Sequence, residues 1–383
     1  MLGRRLWGLG ASLCASALLL AGCGDFFNKD TGGGGGGGGS VGSYTYVGTG
    51  SGMLAGYSVS STGALATLSG SPSQFATAAI NSLAVTPNNT FLYVGVAGTG
   101  IFGSSINSGT GVPTLINSSV LAQDVAPLAL TVDPSGKFLL VAGLANGAAA
   151  VGEYAINSDG TLSEITGSPV SIAFPSGADT TNLSVTNIAV APNSSYVFVT
   201  LGQLGMAPLP FNTSGALSAN TVIINPKVIG SVTNQDLGVT VNPTSTVVFV
   251  GETNVGVRVF TIGSTFTEIS GSPFRAGSQP RSLQFDGTGD YLYAANTTNG
   301  TISGFSVLAS GTLTALTGSP FPAVGNLPFE LTLDQSKKFL LAVNSGGSPD
   351  LQLFSFDATT AGKIDPGATA TNISGATAIA STH

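Results

Sequence analysis

Two apolar runs joined by a turn rich in Pro, Asn, Gly and Ser return again and again along this chain, and that repeat confines it to antiparallel β-structure. The pattern first reads Leu83-Ala-Val-Thr-Pro-Asn-Asn-Thr-Phe-Leu-Tyr-Val94, then Leu130-Thr-Val-Asp-Pro-Ser-Gly-Lys-Phe-Leu-Leu-Val141. Further copies run over 188–199, 239–250, 283–294 and 331–342. Their mean spacing of roughly 49 residues lies in the range of closed or stacked β-repeats. Each copy is predicted to be a hairpin.

A second strand-like segment follows each hairpin, as at 53–59, 151–156, 255–262, 301–307 and 351–356. A turn and a short outer strand come next, as in Ser61-Thr-Gly-Ala-Leu65, Ser158-Asp-Gly-Thr-Leu162 and Ser310-Gly-Thr-Leu313. Weaker forms stand at 109–115, 213–217, 263–269 and 361–364. Gly-Ser-Pro then closes several units, from Gly70, Gly167, Gly271 and Gly318. Proline cannot donate to a sheet ladder, so it is expected to end the outermost strand. The unit is thus four strands, A to D from the inside outward, with no amphipathic helix of useful length. Near-continuous apolar runs such as Phe138-Leu-Leu-Val141 imply that both sheet faces are covered.

The two ends complete each other. Ser43-Tyr-Thr-Tyr-Val-Gly48 resembles a B strand with no A strand before it. Ala376-Thr-Ala-Ile-Ala380 resembles an A strand with no B strand after it. Pairing them makes one composite blade and removes exposed strand edges. The expected fold is all-β: a seven-bladed β-propeller of four-stranded antiparallel blades over 43–383. A linear solenoid would need caps at both ends and would not account for the split unit.

Before this body lies an address. Arg4-Arg5 and the apolar run 6–20 lead into Leu20-Ala-Gly-Cys23, the parts of a secretory signal. The ending resembles a bacterial lipobox. By that resemblance, residues 1–22 are a signal peptide and Cys23 is the acylated first mature residue, held to a membrane by its acyl chains. Residues 23–42, with glycine unbroken from Gly32 to Gly39, read as a tether. The expected location is therefore the cell envelope, on an unspecified face.

Composition removes several functions. The formal net charge is -7, and only 8% of residues are charged, so nucleic acid is not an expected partner. The body has no Cys, and the single His is His383. Thiolate, haem and ordinary zinc or copper chemistry therefore find no ligands, leaving only oxygen-held calcium open. No cofactor is expected. Gly98-Thr-Gly100-Ile-Phe-Gly103 matches a dinucleotide fingerprint but leads into a strand-like run rather than a helix. Without an internal His, the many serines cannot form the usual triad.

The turns followed by Phe-Leu-Tyr-Val94 or Tyr-Leu-Tyr-Ala-Ala-Asn296, with Gln279-Pro-Arg-Ser-Leu283 and Thr-Gly-Ser-Pro-Phe321, resemble the seven-bladed lactonase and YVTN-type propellers, including the 6-phosphogluconolactonase-like group. The resemblance implies His, Arg and Glu at one mouth of the channel. Arg281 matches the Arg and Asn296 the Asn of that pattern, but Ser282 stands in place of His and Thr297 in place of Glu. A lactone hydrolase needs a base for water and a cation for the oxyanion.

Polar residues expected at such a mouth include Asp124, Asp179, Asp236, Glu252, Arg275, Arg281, Glu330 and Asn344. The sharpest candidate pocket is Glu252 with Arg281 and Asn296. The plainer alternative is an ion pair between blades or two separately solvated groups, which the sequence favours. The leading functional expectation is a non-catalytic, lipid-anchored, monomeric propeller that binds a protein, glycan or small molecule. The alternatives are an altered lactonase-like hydrolase and a structural or adhesive surface protein.

Overall fold

A computed structural model describes residues 42–383, except Thr221, Gly230 and the side chain of Val232. The expected signal peptide, Cys23 and the expected tether lie outside the described residues. The body is a closed propeller of seven blades, and the A strands run parallel to one another around the channel. The A strands are Ala376–Ser381 in blade 1, then Ile80–Val85, Ala126–Val132, Leu183–Val190, Asp236–Val241, Pro280–Phe285 and Pro328–Leu333 in blades 2 to 7. The B strands are Ser43–Thr49, Phe91–Val96, Phe138–Ala145, Tyr196–Gly202, Val247–Glu252, Tyr291–Asn296 and Phe339–Asn344.

Blade 1 is the composite one. Tyr46 pairs with Ala380 and Val47 with Ile379. Hydroxyls extend the seam: the Thr45 and Ser381 side chains meet at 2.9 Å, and Tyr44 N–H donates to Thr382 Oγ1 at 2.9 Å. His383 then exchanges two hydrogen bonds with Asn89 of the blade 2 turn.

Among the described residues, seven apolar clusters fill the seven interfaces between blades. Both faces of each sheet are thereby buried, which is why the B strands are apolar without alternation. Three B-strand tyrosines add a polar stitch. Tyr46, Tyr93 and Tyr293 donate to the carbonyls of Gly111, Gly160 and Gly362 in the following blade at 2.6, 3.0 and 2.6 Å.

The A–B turns follow from their first residue. Asp133 Oδ1 accepts the N–H groups of Lys137 and Phe138 at 2.8 and 2.7 Å, folding the turn back on its own backbone. Asn242 Oδ1 makes the equivalent pair, Asp286 Oδ1 accepts from Gly289 and Tyr291, three and five ahead, and Asp334 Oδ1 repeats the bond to the residue five ahead, Phe339.

Two expectations need correction. Gly-Ser-Pro interrupts the outer strand rather than ending it. In blades 1, 3 and 6 a short segment beyond it, Ser73–Gln74, Val170–Ser171 and Phe321–Pro322, returns to the C strand. The serine spans the gap: Ser71, Ser168, Ser272 and Ser319 each accept a C-strand N–H at 2.7 to 3.1 Å.

The second correction is blade 4, which has no D strand at 213–217. Its C strand, Met206–Pro210, turns residues 206, 208 and 210 outward, since Met206 bridges to Ile224 on that side. The other two are prolines, so the edge offers no further N–H to a ladder. The chain instead runs on to a separate hairpin, Val228–Ile229 with Val232–Thr233.

Candidate functional site: the channel mouth

Every blade's A strand carries a register irregularity near its start. A bulge adds a residue that no partner opposes and re-aims its side chain. The unopposed residues include Thr377, Asn81, Leu128, Thr186, Leu237, Arg281 and Phe329. All of these but Leu237 line one central cavity of about 50 Å³, together with Glu330. A water needs about 10–15 Å³ on the same measure, so this space suits a few waters and no sugar ring.

The ring is cross-linked. Asn81 donates to Pro127 O at 2.9 Å, Thr186 to Asp236 O at 2.9 Å and Thr377 to Ile80 O at 2.8 Å, each into the next blade. One residue beyond the bulge a second series runs in the same sense. Ser82 Oγ accepts Leu130 N–H at 2.9 Å, Ser282 Oγ accepts Leu331 N–H at 3.1 Å and Glu330 Oε2 accepts Ile379 N–H at 2.9 Å. Glu330 thus fills a place that serine fills in blades 2 and 6, reaching the A strand that closes the ring. Burial pushes its carboxyl up to about 7, against the pull of the Ile379 N–H and Arg281. Arg281 stacks on Phe329, with its guanidinium carbon 3.9 Å from the ring centroid. Burial lowers its affinity for a proton, and Glu330 partly restores it.

The expected Glu252–Arg281 pairing is not present. Glu252 is fully buried at the end of its B strand and is taken by other donors. Arg258 Nη1 lies 3.0 Å from Glu252 Oε2, and Lys227 N–H donates to Oε1 at 2.6 Å. Arg258 also reaches Glu268 at 3.1 Å and Asn225 O at 2.9 Å, and Lys227 Nζ meets Glu268 at 3.3 Å.

Asp236 is the cross-strand partner of Glu252, and neither of its buried oxygens has a hydrogen-bond acceptor role among the described residues. Burial, then the adjacent Glu252, raises Asp236 well above the usual carboxylate range. The cluster clamps the 225–235 excursion onto blade 5. Arg258 and Glu268 escaped sequence reading because they lie on C and D strands. Only the scarcity of charge could have singled them out.

Asn296 is also unavailable to a ligand. It is fully buried, its Nδ2 donates to Thr301 Oγ1 and Ser303 Oγ at 3.1 and 2.9 Å, and Gly277 packs so closely that a Cβ there would lie 2.6 Å from it. Asn344 and Gly325 repeat this arrangement in blade 7. Among the other expected mouth residues, Asp124 meets the Tyr154 hydroxyl at 3.5 Å, Asp179 folds onto Thr181, and Arg275 is exposed. The single His, His383, follows the far end of an A strand, so it sits at the opposite mouth from Arg281. No cluster of three metal-ligating side chains occurs among the described residues.

Residues 239–380 match the family model described as "Lactonase, 7-bladed beta-propeller". No curated protein matches the chain. Among solved structures, a candidate 6-phosphogluconolactonase from Bacteroides fragilis is similar at 17% identity and a TM-score of 0.68, covering 90% of this chain and 98% of that one. The periplasmic gluconolactonase PpgL of Pseudomonas aeruginosa is similar at 17% identity and a TM-score of 0.66, covering 89% and 99%. With seven blades closed by the chain's two ends and this match across the C-terminal blades, the protein has the fold of the lactonase-type seven-bladed propellers.

Proposed function

We propose that the protein is a cell-envelope propeller, anchored to a membrane through acylated Cys23, that binds a ligand and does not turn one over. One observation supports this above the rest. Glu330, the acid nearest to Arg281 in the channel, makes the same hydrogen bond to the next blade that Ser82 and Ser282 make. Its carboxylate is a structural acceptor in a cavity of about 50 Å³. An acid that holds a seam is poorly placed to activate water.

A second reading, an altered lactonase-like hydrolase, draws support from the same cavity. It joins a cation, Arg281, to a carboxyl raised to about 7, Glu330. Those are the oxyanion partner and base that such chemistry requires.

The mature chain assayed against aldonolactones separates the two. Binding function alone gives no ring opening above the buffer rate. Ring opening that disappears in both Arg281→Ala and Glu330→Gln overturns the proposal in favour of the hydrolase. Anchoring is tested by fractionation: Cys23→Ser should move the protein from the membrane to the soluble fraction.

A further inference from the structure

Three arginines belong to the described residues, and two of them face acids. Arg258 is held by Glu252 and Glu268, and Arg281 faces Glu330. Arg275 has no acidic partner. It stands exposed on the connection from blade 5 to blade 6, at the border of a groove of about 1030 Å³. This space is about twenty times the channel cavity and reaches the upper end of the range for ligand clefts. No Asp or Glu lines it.

The polar groups of the groove have uncommitted hydrogen-bonding capacity. Asn299 Oδ1 accepts the Ser278 N–H, leaving its NH₂ to donate. Asn254 donates to Asn234 at 3.2 Å, leaving its Oδ1 to accept. Ser303 is 3% exposed, and its Oγ accepts from Asn296 and from Gly277 N–H at 2.9 and 3.3 Å. Its own proton has no acceptor among the described residues. The Thr301 hydroxyl, accepting from Asn296 at 3.1 Å, is in the same state. A buried hydroxyl with an unplaced proton calls for an acceptor from outside.

The groove therefore presents a cation, an amide donor and the hydroxyls of Ser278, Thr301, Ser303 and Ser319 against one amide acceptor. Pro273, Pro320, Ala276 and Ala315 supply shallow apolar faces between them. An apolar side chain finds no deep hole here, and the one edge strand the lining touches, Leu313–Ala315, is only three residues long. Deep holes and a long open edge are what an extended peptide uses. A ligand rich in oxygen acceptors, carrying hydroxyls and one negative charge, fits the donor excess.

We propose that this groove on blades 5 and 6 binds a carboxylated oligosaccharide, with Arg275 on the carboxylate and Asn254, Asn299, Thr301 and Ser303 on the hydroxyls. The assignment rests on the binding reading given above and names its ligand class. Calorimetric titration of the mature chain with a uronic acid trimer and with its neutral hexose counterpart tests it. The acidic trimer should bind, and the neutral one at least tenfold more weakly. Arg275→Gln should abolish that preference, Asn299→Ala should weaken both, and Lys338→Gln on the opposite face should change neither. Binding of the acid trimer that survives Arg275→Gln and Asn299→Ala overturns the groove while leaving a binding protein. No binding of either trimer, or equal binding of both, overturns the ligand class. Ring opening in the lactone assay overturns the reading beneath it.

Discussion

Buried carboxyls set the pH response. Glu153, 2% exposed on a C strand, accepts Leu217 N–H at 3.3 Å and leaves its other oxygen without a partner. Burial pushes it to about 7, and burial does the same to Glu330, from 4.5 in each case. Both groups hold a proton more tightly folded than unfolded. Their contribution is full below about pH 4.5 and declines as pH rises through about 7. Thermal unfolding should therefore occur at higher temperature at pH 5 than at pH 7.5, and Glu153→Gln should flatten that slope. Burial also raises Asp236 and Glu252 in the Arg258 cluster, so they add to the same slope. Arg258→Met leaves Glu252 buried beside Asp236 without its cation and should cost about 3–5 kcal/mol in denaturant melts. None of this was legible in advance. Sequence assigned Glu252 and Arg281 to one mouth, but which cation faces which acid depends on strand register and side-chain reach.

At the level of the blade, small polar groups carry the joints. Tyr93→Phe removes the bond to Gly160 O and strands a buried carbonyl, so urea unfolding should show a loss of about 1–2 kcal/mol. The hairpins, the outer-strand turns and the composite blade could all be read from periodicity and turn residues. The missing fourth strand of blade 4 could have been read too, since Pro208 and Pro210 are two apart and so share one edge. The Gly-Ser-Pro serines could not. Their role appears only once the C-strand N–H groups they serve are known.

For the ring as a whole, stability depends on its seam. Removing residues 375–383 takes away the inner strand of blade 1, the Glu330 clip and the His383–Asn89 exchange. The truncated chain should lose cooperative thermal unfolding and expose two strand edges, detectable as aggregation by light scattering. Charge sparsity, the split unit and the absence of an internal His were enough to give the architecture and to doubt the hydrolase. The groove at Arg275 was invisible because its members come from separate loops that only ring geometry gathers.

The chain's first strand waits for its last. While the protein is being synthesised, Ser43–Thr49 has no inner neighbour until Ala376–Ser381 has emerged. A ribosome that stops early releases an arc that cannot seal, whatever the quality of the blades already made. The codons for Ala376–Ser381 thus act as a checkpoint on ring closure, and a cell that degrades open arcs would retain only copies that reach them.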